Sequence, residues 1–340
     1  MGVPSQPTGS DTPARWNEYA AAGRRNGARH AVRAQPSTTA RAYDHVGEAY
    51  GAYADGDNDP SCPANRFAHT DAVLWRTIRE TIDELRRNGV TTLRILDAGC
   101  GPGTWIRRVA AYARRCALGI DATGFDIAQG QLEIARKFAN ETDDACHGAN
   151  TSIRFLVHNL AHPLPWSDGQ FHIVLSNYIV LNHLDRSALP EAIAELSRVA
   201  NHRVIATLRA VASPVTGCII GTEKVSEYHQ NSRTGELRLV LKDGSEHVLT
   251  LNLYTAEKLK YLFEEQTTIK DLRAVDLFLG RFAADENWTG NLVRALPGRQ
   301  LVMRSLREAE EKLCRQPAWL DHGTHILLVA QPRARGACSR

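Results

Sequence analysis

Residues 93–104 read LRILDAGCGPGT, and this stretch decides the fold class. Its apolar start is typical of a buried strand, and a helical pattern follows its end. Glycine lets the backbone turn tightly and approach a ligand with no Cβ in the way. Three alternate glycines exceed what a tight turn needs, so we interpret Gly99, Gly101 and Gly103 as a ligand-binding turn, with a plain turn as the alternative.

The spacing of these glycines disfavours two nucleotide-binding fingerprints. A G-x-G-x-x-G pattern starting at Gly99 needs a third glycine where Thr104 stands, and one starting at Gly101 needs it where Ile106 stands. No Gly-Lys-Ser/Thr follows, so the turn is not a Walker loop either. A nucleotide-dependent dehydrogenase therefore remains only as an alternative.

Downstream of the turn, apolar runs of strand length alternate with segments of helical periodicity. We predict strands at 93–97, 121–126, 153–158, 171–176 and 203–208, and helices at 104–115, 128–140 and 187–200. This alternation implies a parallel, doubly wound α/β sheet. Ligands of such sheets bind beyond the carboxyl ends of the strands, so we look for function there.

The rest of the chain departs from this alternation. After residue 208, strands are favoured at 217–229, 236–242 and 246–253, with hairpin turns at 234–235 and 243–244. A helix at 255–265, a strand at 268–278, a helix at 299–315 and a strand at 324–330 follow. We expect a β-rich insertion at about 212–253, a helical segment at about 280–322, and a strand pair that completes the sheet.

The composition sets the domain limits and the partners. Residues 1–40 hold few large apolar side chains, so we predict a disordered tail there, a main domain over 41–330 and a second tail at 331–340. The net charge of +3 and the lack of a basic, aromatic patch disfavour nucleic acid. No apolar run is long enough to span a membrane. The seven scattered cysteines favour a reducing cytoplasm, and no residue cluster suggests a metal.

Residues 95–104 resemble the first motif of the class I S-adenosylmethionine-dependent methyltransferases. The resemblance extends over about 43–208 and the final strand, and it implies a Rossmann-like seven-stranded sheet with helices on both faces. It also implies S-adenosyl-L-methionine as the cofactor. In this family the glycine turn packs against the methionine part of the cofactor, and the acid before it, here Asp97, helps to fix the turn and the amino group.

The next two strand ends supply the rest of an adenosine site. Asp126 ends the second strand, where a carboxylate can accept hydrogen bonds from both ribose hydroxyls, although an N-cap role is the alternative. Ile127 would pack beside the adenine. The resemblance implies an aspartate after the third strand, where this chain has Asn159, whose amide oxygen can still accept from the adenine amino group. Leu160 would offer its backbone amide to the ring.

Side chains after the fourth strand should border the reactive methyl group. They are Asn177, Tyr178 and His183. His183 has a suitable pKa for a base, with a structural role as the alternative, and Tyr178 could orient the acceptor. Residues 43–50 are similar to a lead-in helix of small-molecule members, so Tyr43 and Tyr50 would cover the cofactor, with plain helix packing as the alternative.

The sequence therefore predicts an enzyme that moves a methyl group to N or O of a small metabolite. Two alternatives stay open, a non-catalytic module that binds the cofactor and a methyltransferase acting on a peptide or RNA. A homodimer is one assembly that the sequence leaves open. The methyl acceptor depends on the insertion and the helical segment, which match no pattern that we can interpret.

Overall fold

The computed structural model describes residues 38–45, 68–141, 150–213, 225–231, 233–279 and 298–333. Its α-helices are α1 (Thr38–His45), α2 (Ala68–Arg87), α3 (Thr104–Arg115), α4 (Gln129–Glu141), α5 (Leu189–Val199), α6 (Ala256–Glu264) and α7 (Arg299–Leu313). Short 3-10 helices span Val180–His183 and Pro317–His322. The strands are β1 (Thr92–Ala98), β2 (Gly119–Asp126), β3 (Thr151–Val157), β4 (Phe171–Ser176), β5 (Ala200–Leu208), β6 (Val225–Asn231), β7 (Glu236–Leu241), β8 (Glu246–Thr250), β9 (Thr267–Val275) and β10 (His325–Pro332).

Seven strands form one sheet in the order β3-β2-β1-β4-β5-β10-β9. The first five are parallel, and β10 lies antiparallel between β5 and β9. The predicted mostly parallel seven-stranded sheet is confirmed, including its final strand pair. The chain runs outward from β1 to β3 and then returns to place β4 on the other side of β1. The crevice between β1 and β4 is therefore the switch point where a ligand is expected.

Adjacent residues of β1 serve opposite layers of the core. Ile95 belongs to the apolar cluster that includes Leu74 and Ile78 of α2, whereas Leu96 belongs to the one that includes Ile193 of α5 and Phe263 of α6. Every residue of β4 is buried, as expected for a strand covered on both faces. Helices on both faces of the sheet thus explain why its central strands read as continuous apolar runs.

The insertion forms a separate three-stranded antiparallel sheet, β6-β7-β8. Its two predicted hairpin turns are confirmed, and Gly235 and Gly244 adopt the positive φ (76° and 85°) that such turns require. Leucines of this small sheet pack against Ala42 of α1, so the sheet and the helix share one apolar cluster. The insertion and the N-terminal helix therefore form one cap.

The predicted boundary of the N-terminal tail is wrong by a few residues. Helix α1 begins at Thr38, inside the segment 1–40 that was expected to be disordered. Ala40 and Ala42 are buried there because α1 packs against β8 and the start of α4. Small residues that look unsuited to a core in sequence are suited to this close packing between helix and sheet.

Other element ends differ from the predictions by a few residues. β9 stops at Val275, because Asp276 takes a left-handed φ of 64° and turns the chain. α7 ends at Leu313, shortly before Pro317. The predicted strand at 217–229 corresponds to β6, and its residues before 225 lie outside the described part, as do residues 280–297 of the helical segment.

A buried asparagine joins the insertion to the main sheet. Asn182 lies after β4 and has no exposed surface. Its Nδ2 donates to the carbonyl oxygens of Arg209 (3.1 Å) and Asn252 (2.6 Å), and its Oδ1 accepts from the backbone N of Arg209 (2.9 Å). The backbone N of Asn252 donates in return to the carbonyl of Asn182 (2.7 Å). One side chain thus fixes the loops that follow β4, β5 and β8.

We expect Asn182→Ala to lower the free energy of unfolding by about 2–4 kcal/mol, because it leaves buried backbone groups without partners. Urea titration followed by circular dichroism measures this change. Asn201→Ala is the matched control, since that exposed amide makes a single hydrogen bond to Gly169 (3.1 Å) and should cost less than about 1 kcal/mol. Equal losses in the two variants would contradict the assigned role of Asn182.

Candidate functional site

The glycine turn after β1 is held against the end of β2. The backbone N atoms of Gly99 and Cys100 both donate to the carbonyl oxygen of Phe125, at 2.8 and 2.9 Å. Gly99, Gly101 and Gly103 all have positive φ values, of 74°, 49° and 75°. This conformation disfavours any other residue, so the sequence pattern follows from the backbone path.

The three glycines differ in what surrounds them. A Cβ on Gly99 would overlap the side chain of Val180, and one on Gly103 would lie 3.0 Å from the ring of Phe155. A Cβ on Gly101 would meet nothing closer than Gln131 Oε1, at 4.0 Å. Gly99 and Gly101 line a cavity, whereas Gly103 packs behind its wall between β3 and α4. Only the first two therefore lie where a ligand could touch them.

Asp126 links the glycine turn to the start of α4. Its Oδ2 accepts from the backbone N of Gly101 and its Oδ1 from that of Ala128, both at 2.9 Å. Burial raises the pKa of this carboxyl group, and the hydrogen bonds from Ala128 and Gly101 partly oppose the shift. The side chain thus fixes the turn after its own strand, and each oxygen keeps a lone pair for a ligand in the cavity.

Asp97 is a buried acid at the inner end of the cavity. It is 1% exposed, and its Oδ2 accepts no hydrogen bond from the described residues. Burial, and then the charge of Asp126, raise its pKa to about 7. A buried carboxylate without a donor is costly, so a cationic group in the cavity would stabilise it.

Three further buried polar groups lie in the cavity wall without partners among the described residues. They are both side-chain atoms of Asn177, Oε1 of Gln131 and Nε2 of His158. Buried polar groups are normally hydrogen-bonded, and an unsatisfied one requires an explanation. Together with Asp97 they fit a polar ligand, and the predicted residue Asn177 is among them.

The expected adenine-binding residues lie at one end of the cavity. Ile127, Asn159 and Leu160 all line it, beside the ring of Phe125. Oδ1 of Asn159 accepts from the backbone N of Ala161 (2.9 Å), so this oxygen holds a turn and has only its second lone pair for a ligand. Asn159, which stands where the family resemblance implies an aspartate, thus also stabilises the local turn.

Tyr178 is held rigidly at the end of β4. Its ring stacks on Trp105, with centroids 6.2 Å apart and planes at 22°, and meets the ring of His325 edge to face at 5.6 Å. Tyr178 and Ile179 both take left-handed φ values, of 52° and 65°. Two successive non-glycine residues in this region are unfavourable, and such conformations cluster at functional sites.

His183 joins three separate elements in the cavity wall. Its Nδ1 lies 2.5 Å from the carbonyl oxygen of Thr250 in β8, and its Nε2 lies 2.8 Å from Oη of Tyr43 in α1. A carbonyl can only accept, so Nδ1 carries the proton and Nε2 accepts from the tyrosine hydroxyl. Burial lowers the pKa of His183, while the bond to Thr250 opposes the shift. The imidazole is therefore neutral near pH 7.

Helix α1 is fastened over the cavity at two more points. Asp44 Oδ1 accepts from the backbone N of Gly130 (2.8 Å), and Gln131 Nε2 donates to the carbonyl of Tyr43 (3.0 Å). Both partners belong to the first turn of α4, whose backbone N–H groups attract acceptors. The lead-in helix thus covers the crevice, and its predicted second tyrosine, Tyr50, lies outside the described residues.

All these side chains surround one cavity of about 420 Å³ at the carboxyl ends of the strands, a size suited to a small molecule. The predicted residues that line it are Tyr43, Asp97, Gly99, Gly101, Asp126, Ile127, Asn159, Leu160, Asn177, Tyr178 and His183. Sequence reasoning missed Thr39, Gln131, His158, Arg209, Thr250 and His325. Of these, Arg209 carries a readable signal, because it directly follows the fifth parallel strand.

Comparison with known proteins identifies the domain. Residues 95–203, from β1 into β5, match the sequence profile of a family described as "Methyltransferase domain". No curated protein matches the chain significantly in sequence.

Among solved structures, the protein PH0226 from Pyrococcus horikoshii OT3 is 13% identical, covers 76% of this chain and 92% of its own, and has a TM-score of 0.45. The 4+2 cyclase SpnF is 21% identical, covers 88% of this chain and 98% of its own, and has a TM-score of 0.49. For geranyl diphosphate C-methyltransferase from Streptomyces coelicolor A3(2) they are 14%, 80%, 82% and 0.46.

Residues 95–203 therefore form a methyltransferase domain, and the sheet order and the glycine turn agree with the resemblance to the class I S-adenosylmethionine-dependent methyltransferases. S-adenosylmethionine is its cofactor, and the cavity has the groups to hold it. Asp97 would offer a carboxylate to an ammonium group, Asp126 would offer two oxygens to hydroxyls, and Gly101 would leave the approach open. Among the described residues, no helix has the length and apolar character needed to cross a bilayer.

We expect Asp126→Ala to raise the Kd for S-adenosylhomocysteine by about 100-fold or more, because hydrogen bonds to a charged group contribute about 1.5–3 kcal/mol each. Calorimetric titration measures the Kd, and circular dichroism checks the fold. Asp121→Ala is the matched control, since this acid lies on the same strand but pairs with Arg154 (2.8 Å) outside the cavity. An unchanged Kd in Asp126→Ala would remove Asp126 from the cofactor site.

Proposed function

We propose that this enzyme transfers a methyl group to a nitrogen or oxygen atom of a small metabolite bound in the described cavity. The observation that carries the proposal is the Tyr43–His183–Thr250 chain of hydrogen bonds, which places a neutral imidazole and a phenol in the wall of the cofactor cavity. These groups suit the removal of a proton from an N–H or O–H acceptor.

The cofactor residues divide the cavity along the strand order. Asn159 follows β3, whereas Asp126 and Asp97 lie at the carboxyl ends of β2 and β1, so the adenosine and the amino group of the cofactor would lie over these three strands. When bound, S-adenosylmethionine supplies an already activated methyl group on sulfur. The chain's own residues therefore have to align the acceptor, exclude water and accept its proton.

The proton would leave the acceptor through Tyr43. Nε2 of His183 accepts from the tyrosine hydroxyl, so a proton given to Tyr43 Oη can be matched by one passed on to Nε2. The carbonyl of Thr250 would then stabilise the resulting imidazolium through Nδ1–H. Burial lowers the pKa of His183 and makes the imidazole a weaker base. The imidazolium would therefore be short-lived and would pass its proton on.

Water exclusion would come from the same contacts. Tyr43 and Thr250 belong to α1 and β8, the two parts of the cap, and both hydrogen-bond to His183. The bond network thus closes the cavity while it orients the imidazole. Tyr178, fixed between Trp105 and His325, would provide a rigid wall that orients the acceptor, as its position in the sequence suggested.

A small acceptor is favoured over a polymer by the cavity and the charge. The cavity is covered by α1 and the insertion, and the net charge of +3 is low for a chain that binds RNA. Salt-sensitive binding to RNA or a peptide would instead favour the polymer alternative.

The described cysteines Cys100, Cys116 and Cys314 are free, which supports a reducing compartment such as the cytoplasm.

The decisive experiment screens for the acceptor. The full chain is incubated with S-adenosylmethionine that carries a deuterated methyl group and with a metabolite extract, and products are sought by mass spectrometry. A labelled metabolite whose methyl group lies on N or O supports the proposal. Tight binding of the cofactor with no labelled product would favour a non-catalytic binding module, and a labelled carbon would contradict the N or O assignment.

We expect Tyr43→Phe to lower kcat for that acceptor on the order of 100-fold, the usual contribution of a positioned proton-transfer group. In the unmodified enzyme kcat/KM should fall on the acid side of the ordinary pKa of histidine, because burial lowers the pKa at which His183 is protonated. The fall of kcat/KM at low pH should be smaller in Tyr43→Phe. Steady-state kinetics against pH measures both effects.

Tyr261→Phe is the control, since Tyr261 is 59% exposed. If Tyr43→Phe keeps kcat but binds the cofactor more weakly, the Tyr43–His183 bond only closes the cap, and the proton path is wrong.

A further inference from the structure

The cavity continues beyond the cofactor residues to the ends of two more strands. Arg209 follows β5, and His325 begins the antiparallel β10, so both lie at the same edge of the sheet as the parallel strand ends. Both line the cavity. Two strand spacings separate β1 from β5, about 10 Å. Arg209 therefore lies on the side of the cavity away from the adenosine residues.

Arg209 is a buried and well-anchored cation. Its residue is 3% exposed, its backbone N and O both bond to the side chain of Asn182, and its Nε donates to Ser213 Oγ (3.2 Å). Ser213 Oγ in turn donates to the carbonyl of Thr324 (3.2 Å), next to His325. A guanidinium fixed in this way loses little rotamer freedom when it binds a ligand.

The positive charge in the cavity wall is concentrated at the Arg209 end. Arg209 is the single Lys or Arg among the described residues that line the cavity. Its neighbour His325 is uncharged near pH 7, because burial and the charge of Arg209 lower its pKa to about 3. The acids of the wall, Asp97 and Asp126, belong to the cofactor end, and Asp185 also lines the cavity.

We propose that the methyl acceptor carries a carboxylate and that Arg209 binds it, which makes Arg209 the residue that selects the acceptor class. The inference rests on the proposed function. A guanidinium matches the planar geometry of a carboxylate through two parallel N–H···O bonds. Arg209 is the one Lys or Arg among the described lining residues, and a single planar carboxylate matches its one guanidinium group. The acceptor N or O atom then lies between Arg209 and Tyr43, with the Tyr178 ring beside it.

The test uses the labelled-methyl incubation with the metabolite extract in three forms. One is untreated, one has its carboxyl groups converted to amides with carbodiimide and methylamine, and one is treated with phosphatase. We expect the labelled product in the untreated and phosphatase-treated extracts and its loss after amidation. Label that survives amidation would contradict the proposal, and label lost only to phosphatase would show that the acceptor's anion is a phosphate.

Variants of Arg209 separate acceptor binding from cofactor binding. We expect Arg209→Met to lower kcat/KM for the labelled acceptor on the order of 100-fold, mainly through KM, with an unchanged Kd for S-adenosylhomocysteine. Arg209→Lys keeps the charge but lacks the planar guanidinium group. Its kcat/KM should therefore lie between those of the unmodified enzyme and Arg209→Met. Arg154→Met, at an exposed pair on β3, is the matched control.

The remaining outcomes are distinct from one another. A higher Kd for S-adenosylhomocysteine in Arg209→Met would show that Arg209 holds the cofactor's own carboxylate, and would overturn the proposal while leaving the methyltransferase function intact. If Arg209→Met does not fold, Arg209→Lys and the amidation test decide. Cofactor binding with no labelled product from any extract would overturn the proposed function and this inference together.

Discussion

The carboxylate of Asp126 holds together two chain segments of the proposed cofactor site. It accepts from Gly101 in the turn after β1 and from Ala128 before α4, and so fixes the ends of β1 and β2 relative to each other. The positive φ of Gly101 costs glycine little, because glycine has no Cβ. Asp126 also lines the cavity, so the same carboxylate would serve both the local structure and the ligand.

A second constraint gathers the proposed catalytic side chains from distant parts of the chain. His183 lies after β4, Tyr43 lies in the N-terminal helix, and Thr250 ends the inserted sheet, yet the ring of His183 hydrogen-bonds to both of the others. Asn182, the neighbour of His183, anchors the same loops through backbone groups. The cap therefore does more than cover the cavity, because it supplies the partners that set the tautomer of His183.

The sequence was most informative where function and local structure coincide. The buried strand and glycine turn of residues 93–104 are adjacent in the chain, so their pattern predicted a parallel sheet with a ligand-binding turn, and their resemblance to the family's first motif implied the cofactor. The contact of α1 with the insertion depends on pairs such as Ala42 and Leu249, far apart in sequence and without a pattern that links them. For the same reason, Thr250 and His325 could not be assigned to the site, and the start of α1 was misplaced.

The central claim is that one cavity at the strand ends holds the methyl donor at the β1 to β3 side and leaves the β5 and β10 side to the acceptor. A crystal structure of the full chain with S-adenosylhomocysteine tests it most directly. We expect the ribose hydroxyls at Asp126, the amino group at Asp97 and the sulfur directed toward Tyr178 and Tyr43. A ribose bound away from Asp126, or an amino-acid group that fills the space beside Arg209, would contradict it.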